Sequence, residues 1–315
     1  MRECAEQYAN FEPHIQNARW WGRPTFPHAC QCFLDPHIHG HINIAEHSTT
    51  IMPNVLIIGA TRGLGYQIAL QYAQREYSVT GTARSAPPKE THHDIHWISG
   101  VDVATEAAGK TISEGLKGHK QDLVIITAGF FGKESFDEPD YDAEVTMYKT
   151  SAIAPVFIVH HLHKAGLLKT GSSSSGGGGS KIILVSSESG SITLRHETEG
   201  GGMFGHHASK AASNMVGKLL SLDLKDQGIA VGIVHPGFMR TEMTRSVGFD
   251  QFWDDGGAVT PDEAAESLIR WIEEEFDMSK TGQYWAPRGA ADIGTAEAVM
   301  GAKKGDLPTP LQLPW

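Results

Sequence analysis

Short apolar runs alternate with longer amphipathic stretches from residue 53 onward. Six runs rich in valine and isoleucine have the length of strands, at residues 54–60, 77–83, 96–103, 123–129, 181–187 and 229–237, and a seventh is predicted at 282–287. Their nearly unbroken apolar character is typical of strands that are buried on both faces. Helix-length segments such as 64–76 and 208–228 lie between them. The pattern predicts an α/β fold: a doubly wound parallel sheet of the Rossmann type with helices on both faces.

The first 51 residues lack this periodicity. We therefore predict a poorly ordered, flexible extension over 1–51, followed by a single domain over 52–315. The extension contains Cys30, Cys32, His37, His39 and His41, which are residue types that bind zinc or copper. Their spacing matches no common zinc module, so we expect no metal site. A Ser/Gly-rich stretch at 170–181 predicts a flexible loop without a function.

Composition narrows the function classes. The chain of 315 residues carries a formal net charge of −11 and has a sequence pI near 5.8, which argues against general binding to nucleic acid or to anionic membranes. No apolar run reaches the roughly 18–20 residues that a membrane-spanning helix needs. The beginning of the chain lacks the pattern of a secretory signal. These features predict a cytoplasmic protein that binds neither nucleic acid nor membranes.

A glycine-rich turn separates the first predicted strand from the first predicted helix. Gly59, Gly63 and Gly65 follow the spacing G-x-x-x-G-x-G. A turn of this kind lets the backbone approach a pyrophosphate, and the helix that follows presents free N–H groups and a positive dipole end. Its position between a strand and a helix, at the start of a βαβ series, supports dinucleotide binding over a simple tight turn.

This turn and several later motifs resemble the short-chain dehydrogenase/reductase family, and the resemblance covers about residues 53–315. The order of motifs and the ending "LQLPW" are closest in pattern to the C-factor and sniffer-like carbonyl reductases. The second strand ends at Arg84 without a carboxylate, and Arg62 lies in the glycine turn. Two guanidinium groups suit a 2′-phosphate, so NADP(H) is favoured over NAD(H). Ordinary surface arginines are the alternative.

The resemblance implies a set of cofactor-binding residues spread over six segments of the chain. They are Gly59, Thr61, Arg62, Gly63, Leu64, Gly65, Arg84, Asp102, Val103, Ala128, Gly129, Lys210, Pro236, Gly237 and Thr241. Thr127 stands where the family usually has asparagine.

The catalytic residues of the family are only partly present. The resemblance assigns Ser187 as the serine that orients the substrate oxygen and Lys210 as the lysine that binds the nicotinamide ribose. His206 stands four residues before Lys210, where the family has its catalytic tyrosine, and Ser151 stands at the asparagine position. The spacing of four places His206 and Lys210 on one helix face.

A histidine does not simply replace a tyrosine at this position. The nearby lysine cation stabilises a tyrosinate, but it destabilises an imidazolium and so keeps His206 neutral. An imidazole is also shorter than a phenol by roughly 2 Å, which matters for a proton donor. His207 is a less suitable donor, because it lies about 100° further around the helix. We expect His235, at the end of a buried strand, to be structural.

Three functions remain open. The first is carbonyl reduction supported by His206, directly or through water, with Ser187 polarising the carbonyl. The second is non-redox proton chemistry in the same pocket, as in an isomerase, dehydratase or cyclase. The third is nucleotide binding without turnover, as in a sensor or partner protein. We predict an NADP(H)-dependent oxidoreductase acting on a carbonyl or alcohol.

The segment 238–262 is predicted to form a substrate lid. Its apolar lining is predicted to come from Phe238, Met239, Met243, Phe249, Phe252 and Trp253, which favour a hydrophobic or aromatic small-molecule substrate. The alternative is that they only pack the lid against the body of the domain. Analogy with fungal members suggests a role in secondary metabolism. Many members of the family are homodimers or homotetramers, and the sequence leaves both open.

Overall fold

The computed structural model describes residues 52–89, 92, 94–171 and 178–315. The predicted extension, with its cysteines and histidines, and the centre of the Ser/Gly-rich loop lie outside the described residues. The strands in chain order are β1 (Asn54–Ile58), β2 (Ser78–Thr82), β3 (Ile95–Ile98), β4 (Leu123–Ile126), β5 (Lys181–Val185), β6 (Ala230–Val234), β7 (Tyr284–Ala286) and β8 (Leu311–Gln312).

The eight strands form one sheet in the order β3-β2-β1-β4-β5-β6-β7-β8. The first seven are parallel, and their central members are fully apolar and buried on both faces, as predicted. One edge of the sheet departs from the parallel order, because β8 pairs antiparallel with β7. Two residues are too few to give a strand signal, so the sequence pattern did not reveal β8.

Helices cover both faces of the sheet. They are α1 (Gly63–Gln74), α2 (Ala107–Gly115), α3 (Tyr141–Tyr148), α4 (Ala154–Lys164), α5 (Phe204–Leu224), α6 (Glu242–Ser246), α7 (Pro261–Glu274) and α8 (Ala296–Met300). Apolar residues of α1 and α7 pack on one face of the sheet. Those of α2, α4 and α5 pack on the other. The predicted fold class is therefore confirmed.

The strand order places a topological switch point between β1 and β4, since the chain leaves β1 toward β2 on one side and returns to β4 on the other. In open α/β sheets, ligands bind in the crevice at the carboxyl ends of the strands beside such a point. The glycine turn follows β1, and the segments after β4, β5 and β6 meet it at the same edge. The predicted site residues occupy these segments.

Within the described residues, no helix combines the length and the apolar character that crossing a membrane requires. The longest helix, α5, has 21 residues and carries His206 and Lys210 in its first two turns.

Candidate active site

The glycine turn after β1 has a backbone that other residues would not tolerate. Gly59 and Gly63 have φ angles of 91° and 54°, in the left-handed region. A Cβ atom on Gly65 would lie 2.3 Å from the carbonyl oxygen of Gly59. On Gly63, by contrast, a Cβ atom would meet only the methyl group of Thr241, at 3.8 Å. The turn is therefore tightly folded against itself but open toward Thr241 and the N-terminus of α1, as a pyrophosphate cradle must be.

Two threonines hold the turn in place. The hydroxyl oxygen of Thr82, at the end of β2, accepts a hydrogen bond from the Gly59 N–H group at 3.0 Å. The hydroxyl of Thr127, after β4, donates to the carbonyl oxygens of Ile58 and Gly59 at 2.9 and 3.1 Å. Thr127 thus connects the ends of the neighbouring strands β1 and β4. This is a structural role for the threonine that replaces asparagine directly after β4.

Most of the other predicted cofactor residues lie in segments that follow strands at the same edge of the sheet. Arg62 precedes α1, Arg84 follows β2, and both are exposed. Asp102 and Val103 follow β3, and a carboxylate oxygen of Asp102 accepts a hydrogen bond from the Ala104 N–H group at 3.0 Å. The remaining residues are Thr61 and Leu64 in the turn, Ala128 and Gly129 after β4, and Pro236, Gly237 and Thr241 after β6.

Ser187 lies in the loop after β5. Its hydroxyl oxygen accepts a hydrogen bond from the Ser189 N–H group at 3.2 Å, which leaves the hydroxyl proton free to point elsewhere. The hydroxyl of Tyr284 in β7 donates to the Ser187 carbonyl oxygen. A Cβ atom on Gly190 would lie 2.7 Å from the Lys210 carbonyl carbon, so glycine permits this loop to pack directly on α5.

His206 is the third residue of α5 and is half-buried. Its ring stacks on Phe131 with a centroid distance of 4.1 Å and an interplanar angle of 25°. Burial, followed by repulsion from the cations of Lys210 and Arg195, lowers the pKa of His206 to about 3. The Nδ1 atom is buried and has no hydrogen-bond partner among the described residues. The imidazole is therefore neutral throughout the physiological pH range.

Lys210 lies one turn further along α5, and its Nζ atom donates to the Val185 carbonyl oxygen at 3.0 Å. Burial lowers the pKa of Lys210 to about 8, so the ammonium form still predominates at neutral pH. Ser151 lies in a π-helical turn between α3 and α4, and its buried hydroxyl has no partner in the described part of the chain. Lys210, Ser151 and Ala128 line one small pocket, which has room for about one water molecule.

Aromatic side chains connect the predicted lid to His206. The Phe249 ring contacts Phe131 edge-to-face at 5.7 Å, and Phe131 in turn stacks on His206. Phe238 and Phe252 contact Phe249 at 6.4 and 6.0 Å.

The three remaining predicted lid residues, Met239, Met243 and Trp253, contact three different parts of the protein. Met243 packs in the cluster of Phe131, whereas Met239 packs against the core beneath α1 and α7. Trp253 lies under the guanidinium of Arg245 and donates a hydrogen bond to Thr244.

His207 is fully engaged elsewhere. Its two ring nitrogens contact the Met203 carbonyl oxygen at 2.9 Å and the Arg195 guanidinium at 3.1 Å. Because the carbonyl can only accept, Nδ1 carries the proton and Nε2 accepts from Arg195. Arg195 also forms ion pairs with Glu188 and Glu199. His207 has no proton to offer a substrate without breaking this network.

A family model for short chain dehydrogenases matches residues 53–251, which include the glycine turn, Ser187, His206 and Lys210. The chain belongs to the short-chain dehydrogenase family. A similar curated protein is 1-hydroxy-2-glutathionyl-2-methyl-3-butene dehydrogenase of Rhodococcus sp. (strain AD45), with 28% identity over 224 residues, covering 70% of this chain and 91% of the relative.

Solved structures agree on the fold of this short-chain dehydrogenase. An NADPH-bound carbonyl reductase from chicken fatty liver has a TM-score of 0.62 at 23% identity, covering 75% of this chain and 96% of the other. The carbonyl reductase Sniffer of D. melanogaster has a TM-score of 0.62 at 21% identity, covering 84% and 100%. Identities this low show the fold alone.

Sequence motifs did not point to several residues that shape the site of this short-chain dehydrogenase. Thr82 holds the glycine turn, and Phe131 stacks on His206. Tyr284 donates a hydrogen bond to the Ser187 carbonyl oxygen, and Asp292 contacts His235. Each comes from a distant part of the chain, and only the fold brings it to the site. The β-strand end at Thr82 was the one available signal, because polar residues at strand ends commonly face the ligand edge.

Proposed function

We propose that the protein is an NADP(H)-dependent oxidoreductase that interconverts a hydrophobic carbonyl compound and its alcohol. The observation that carries this proposal is the pocket shared by Ala128, Ser151 and Lys210, because it joins the predicted cofactor-binding edge to the helix of His206. A related structure supports the cofactor, since the chicken carbonyl reductase was solved with NADPH bound.

The residues present fit this cofactor. The open side of Gly63 and the N-terminus of α1 would receive the pyrophosphate, with Thr241 opposite. The exposed guanidinium groups of Arg62 and Arg84 would receive the 2′-phosphate, and no ion pair with another described residue competes for them. NADPH, when bound, supplies the hydride that adds to the carbonyl carbon.

The protein's own part in the reaction is to polarise the carbonyl oxygen and to provide the proton. Ser187 has a free hydroxyl proton to donate to that oxygen. His206, with a pKa of about 3, acts as a neutral N–H donor and not as an imidazolium. A neutral imidazole at a helix N-terminus can polarise a carbonyl in this way. Lys210 is the remaining acid, because its ammonium group has a pKa of about 8 and shares its pocket with the free hydroxyl of Ser151.

The substrate class follows from the aromatic cluster beside His206. Ring contacts run from His206 through Phe131 to Phe249, Phe238 and Phe252 in the segment 238–262, which we infer to be a substrate lid. Such a surface binds an apolar or aromatic carbonyl compound better than a sugar or a small acid. A place in secondary metabolism would be consistent with this substrate class and stays a prediction from analogy.

Replacing Arg84 tests the cofactor assignment. We expect Arg84→Ala to raise the Kd for NADPH about tenfold, because one charge-assisted contact to the 2′-phosphate is lost. The Kd for NADH should stay within about twofold. A fluorescence titration measures both, and Arg270→Ala, which removes an exposed guanidinium on α7, is the matched control. Equal weakening of both nucleotides, or no binding of either, would contradict the assignment.

A second function is favoured by one observation. The imidazole of His206 is packed against Phe131 and cannot become cationic near neutral pH, which suits a protein that binds the nucleotide without redox turnover. The two functions differ in whether the wild-type protein catalyses the reaction at all, and substitutions of His206 distinguish them.

We also propose a homodimer formed through the outer faces of α4 and α5. Met215, Leu219 and Leu222 form a stripe along α5 and are each more than half exposed. Val156 and Phe157 on α4, which contacts α5, are exposed as well. An apolar patch of this kind on two adjacent helices is typical of an interface.

The dimer has its own test. Leu219→Glu should convert a dimer into a monomer in multi-angle light scattering, because a carboxylate at the centre of the stripe would be buried unpaired. Lys225→Glu at the exposed end of the helix should not. A wild-type protein that is already monomeric at all concentrations would exclude the dimer.

A further inference from the structure

A buried hydrogen-bonded bridge joins the loop after β6 to the loop after β5. The Asp292 carboxylate oxygen Oδ2 accepts from the Phe238 N–H group and lies 3.1 Å from Nε2 of His235. On the other side of the same ring, Nδ1 of His235 lies 3.0 Å from the Glu188 backbone nitrogen. The side chains of His235 and Asp292 are only 6% and 1% exposed. The bridge therefore runs from Phe238 through two buried side chains to Glu188.

The direction of each hydrogen bond in the bridge is fixed. A backbone N–H group can only donate, so Nδ1 of His235 is an acceptor and Nε2 carries the proton toward Asp292. Burial lowers the pKa of His235, while the Asp292 carboxylate raises it and leaves it above its ordinary value. The Glu188 N–H group opposes protonation, because an imidazolium would present a second donor to it. We therefore assign a neutral His235 and an ionised Asp292.

The two ends of the bridge lie next to different parts of the proposed site. Phe238 directly follows Pro236 and Gly237, which are predicted to bind the cofactor, and Glu188 directly follows Ser187. A Cβ atom on Gly237 would lie 3.4 Å from Asp292 Oδ2 and 2.9 Å from the Arg288 side chain, so the turn is packed tightly against the segment that supplies Asp292.

We propose that Asp292, acting through His235, is a positioning residue. It couples the turn at Pro236 and Gly237, which is predicted to bind the cofactor, to the loop that carries Ser187. The inference rests on the proposed function, because it gives the coupled loops their roles. Asp292 touches neither predicted reacting group. A shift of the carboxylate would move the Phe238 and Glu188 backbones together, and a misplacement of about 1 Å can cost about 100-fold in rate.

A purely structural bond would not need this arrangement. The second carboxylate oxygen of Asp292, Oδ1, is buried without a hydrogen-bond partner among the described residues. Burying an ionised carboxylate with one unsatisfied oxygen costs folding free energy, and an amide or an apolar contact between the two loops would cost less. The charged acceptor is explained if the ring of His235 must be held in one tautomer and one orientation.

The test uses Asp292→Asn, which preserves shape and one acceptor oxygen, with Asp306→Asn, an exposed aspartate in the same C-terminal region, as the control. Both are made in the wild-type chain and in Ser187→Ala. We expect Asp292→Asn to lower kcat about 10- to 100-fold in the wild-type chain but less than about threefold in Ser187→Ala, since coupled residues are not additive. Equal losses in both backgrounds would reduce Asp292 to a structural role and overturn the proposal.

A second readout is independent of activity. The backbone amide resonances of Glu188 and Phe238 should shift together in Asp292→Asn and should not shift in Asp306→Asn. A shift of Phe238 alone would show that His235 does not transmit the change. If the protein binds no nucleotide and reduces nothing, the proposed function fails, but these resonances still decide whether the bridge couples the loops. If Asp292→Asn does not fold, slow amide exchange of Glu188 in the wild-type chain supports the bridge, and fast exchange refutes it.

Discussion

Replacing Lys210 by methionine is expected to lower kcat for carbonyl reduction about 1,000-fold. The ammonium group is the acid that we assign to the reaction, and removal of a positioned general acid typically costs between about 100- and 10,000-fold. Methionine keeps the length and the apolar stem of the side chain, and it leaves the Val185 carbonyl oxygen without its donor. The measurement is steady-state reduction of an aromatic ketone at saturating NADPH, together with the thermal midpoint of unfolding.

The matched control is Lys218→Met, on the same helix but far from the pocket, where the lysine only reaches the carbonyl oxygen of Gly282 at 3.4 Å. It should keep kcat within about twofold of the wild-type value. A Lys210→Met protein that retains more than a tenth of the activity would remove Lys210 from its assigned role.

The pH dependence of kcat tests, in the wild-type protein, whether Lys210 is the acid. The reaction needs the charged form of Lys210, and the pKa of Lys210 is about 8. We therefore expect kcat to be constant between about pH 6 and 7 and to fall toward a tenfold loss per pH unit above about pH 8. His206, with a pKa of about 3, should add no inflection near pH 6.5. An inflection there that disappears in His206→Phe would mean that the imidazolium is the acid.

Local patterns were sufficient for much of the fold and for the backbone of the glycine turn. The glycine turn could be predicted because β1, the turn and α1 are consecutive in the chain, so one short stretch specifies strand, turn and helix. The neutral state of His206 followed in part from its spacing to Lys210, since residues four apart share a helix face. Burial proved to be the larger cause of the low pKa, and burial depends on tertiary packing.

Contacts between distant segments could not be predicted from the sequence. Asp292 and His235 are 57 positions apart, and no periodicity or motif connects them. Phe131 meets His206 only because the loop after β4 and the start of α5 converge at one edge of the sheet. The antiparallel strand β8 depends on pairing with β7 and has almost no pattern of its own. In each case the deciding interaction is long-range, whereas the sequence signals used here are local.

Substitution of His206 should distinguish an active reductase from a nucleotide-binding protein without turnover. If the neutral imidazole polarises the carbonyl, His206→Phe should lower kcat between about 100- and 1,000-fold, as loss of one preorganised donor does. The Kd for NADPH should change less than about threefold, because the stacking on Phe131 is retained by a phenyl ring. Steady-state kinetics and a fluorescence titration measure the two quantities. His207→Phe is not a suitable control, since it would break the network with Arg195, so we choose His196→Phe on the exposed loop.

His206→Tyr completes the comparison, because a phenol placed four residues before Lys210 restores the family's usual donor. In an active wild-type enzyme, the lysine cation would lower the pKa of the tyrosine, and the variant should retain activity with a pH profile that reports the phenol. In a protein that binds nucleotide without turnover, the wild type and His206→Phe would be equally inactive, and His206→Tyr alone would gain reductase activity. The longer tyrosine ring must fit beside Phe131, which stacks on His206. A loss of activity in His206→Tyr with an active wild type would therefore mean that the aromatic cluster is shaped for the shorter imidazole. The histidine would then be a working donor in its own right, with the pocket built around its length.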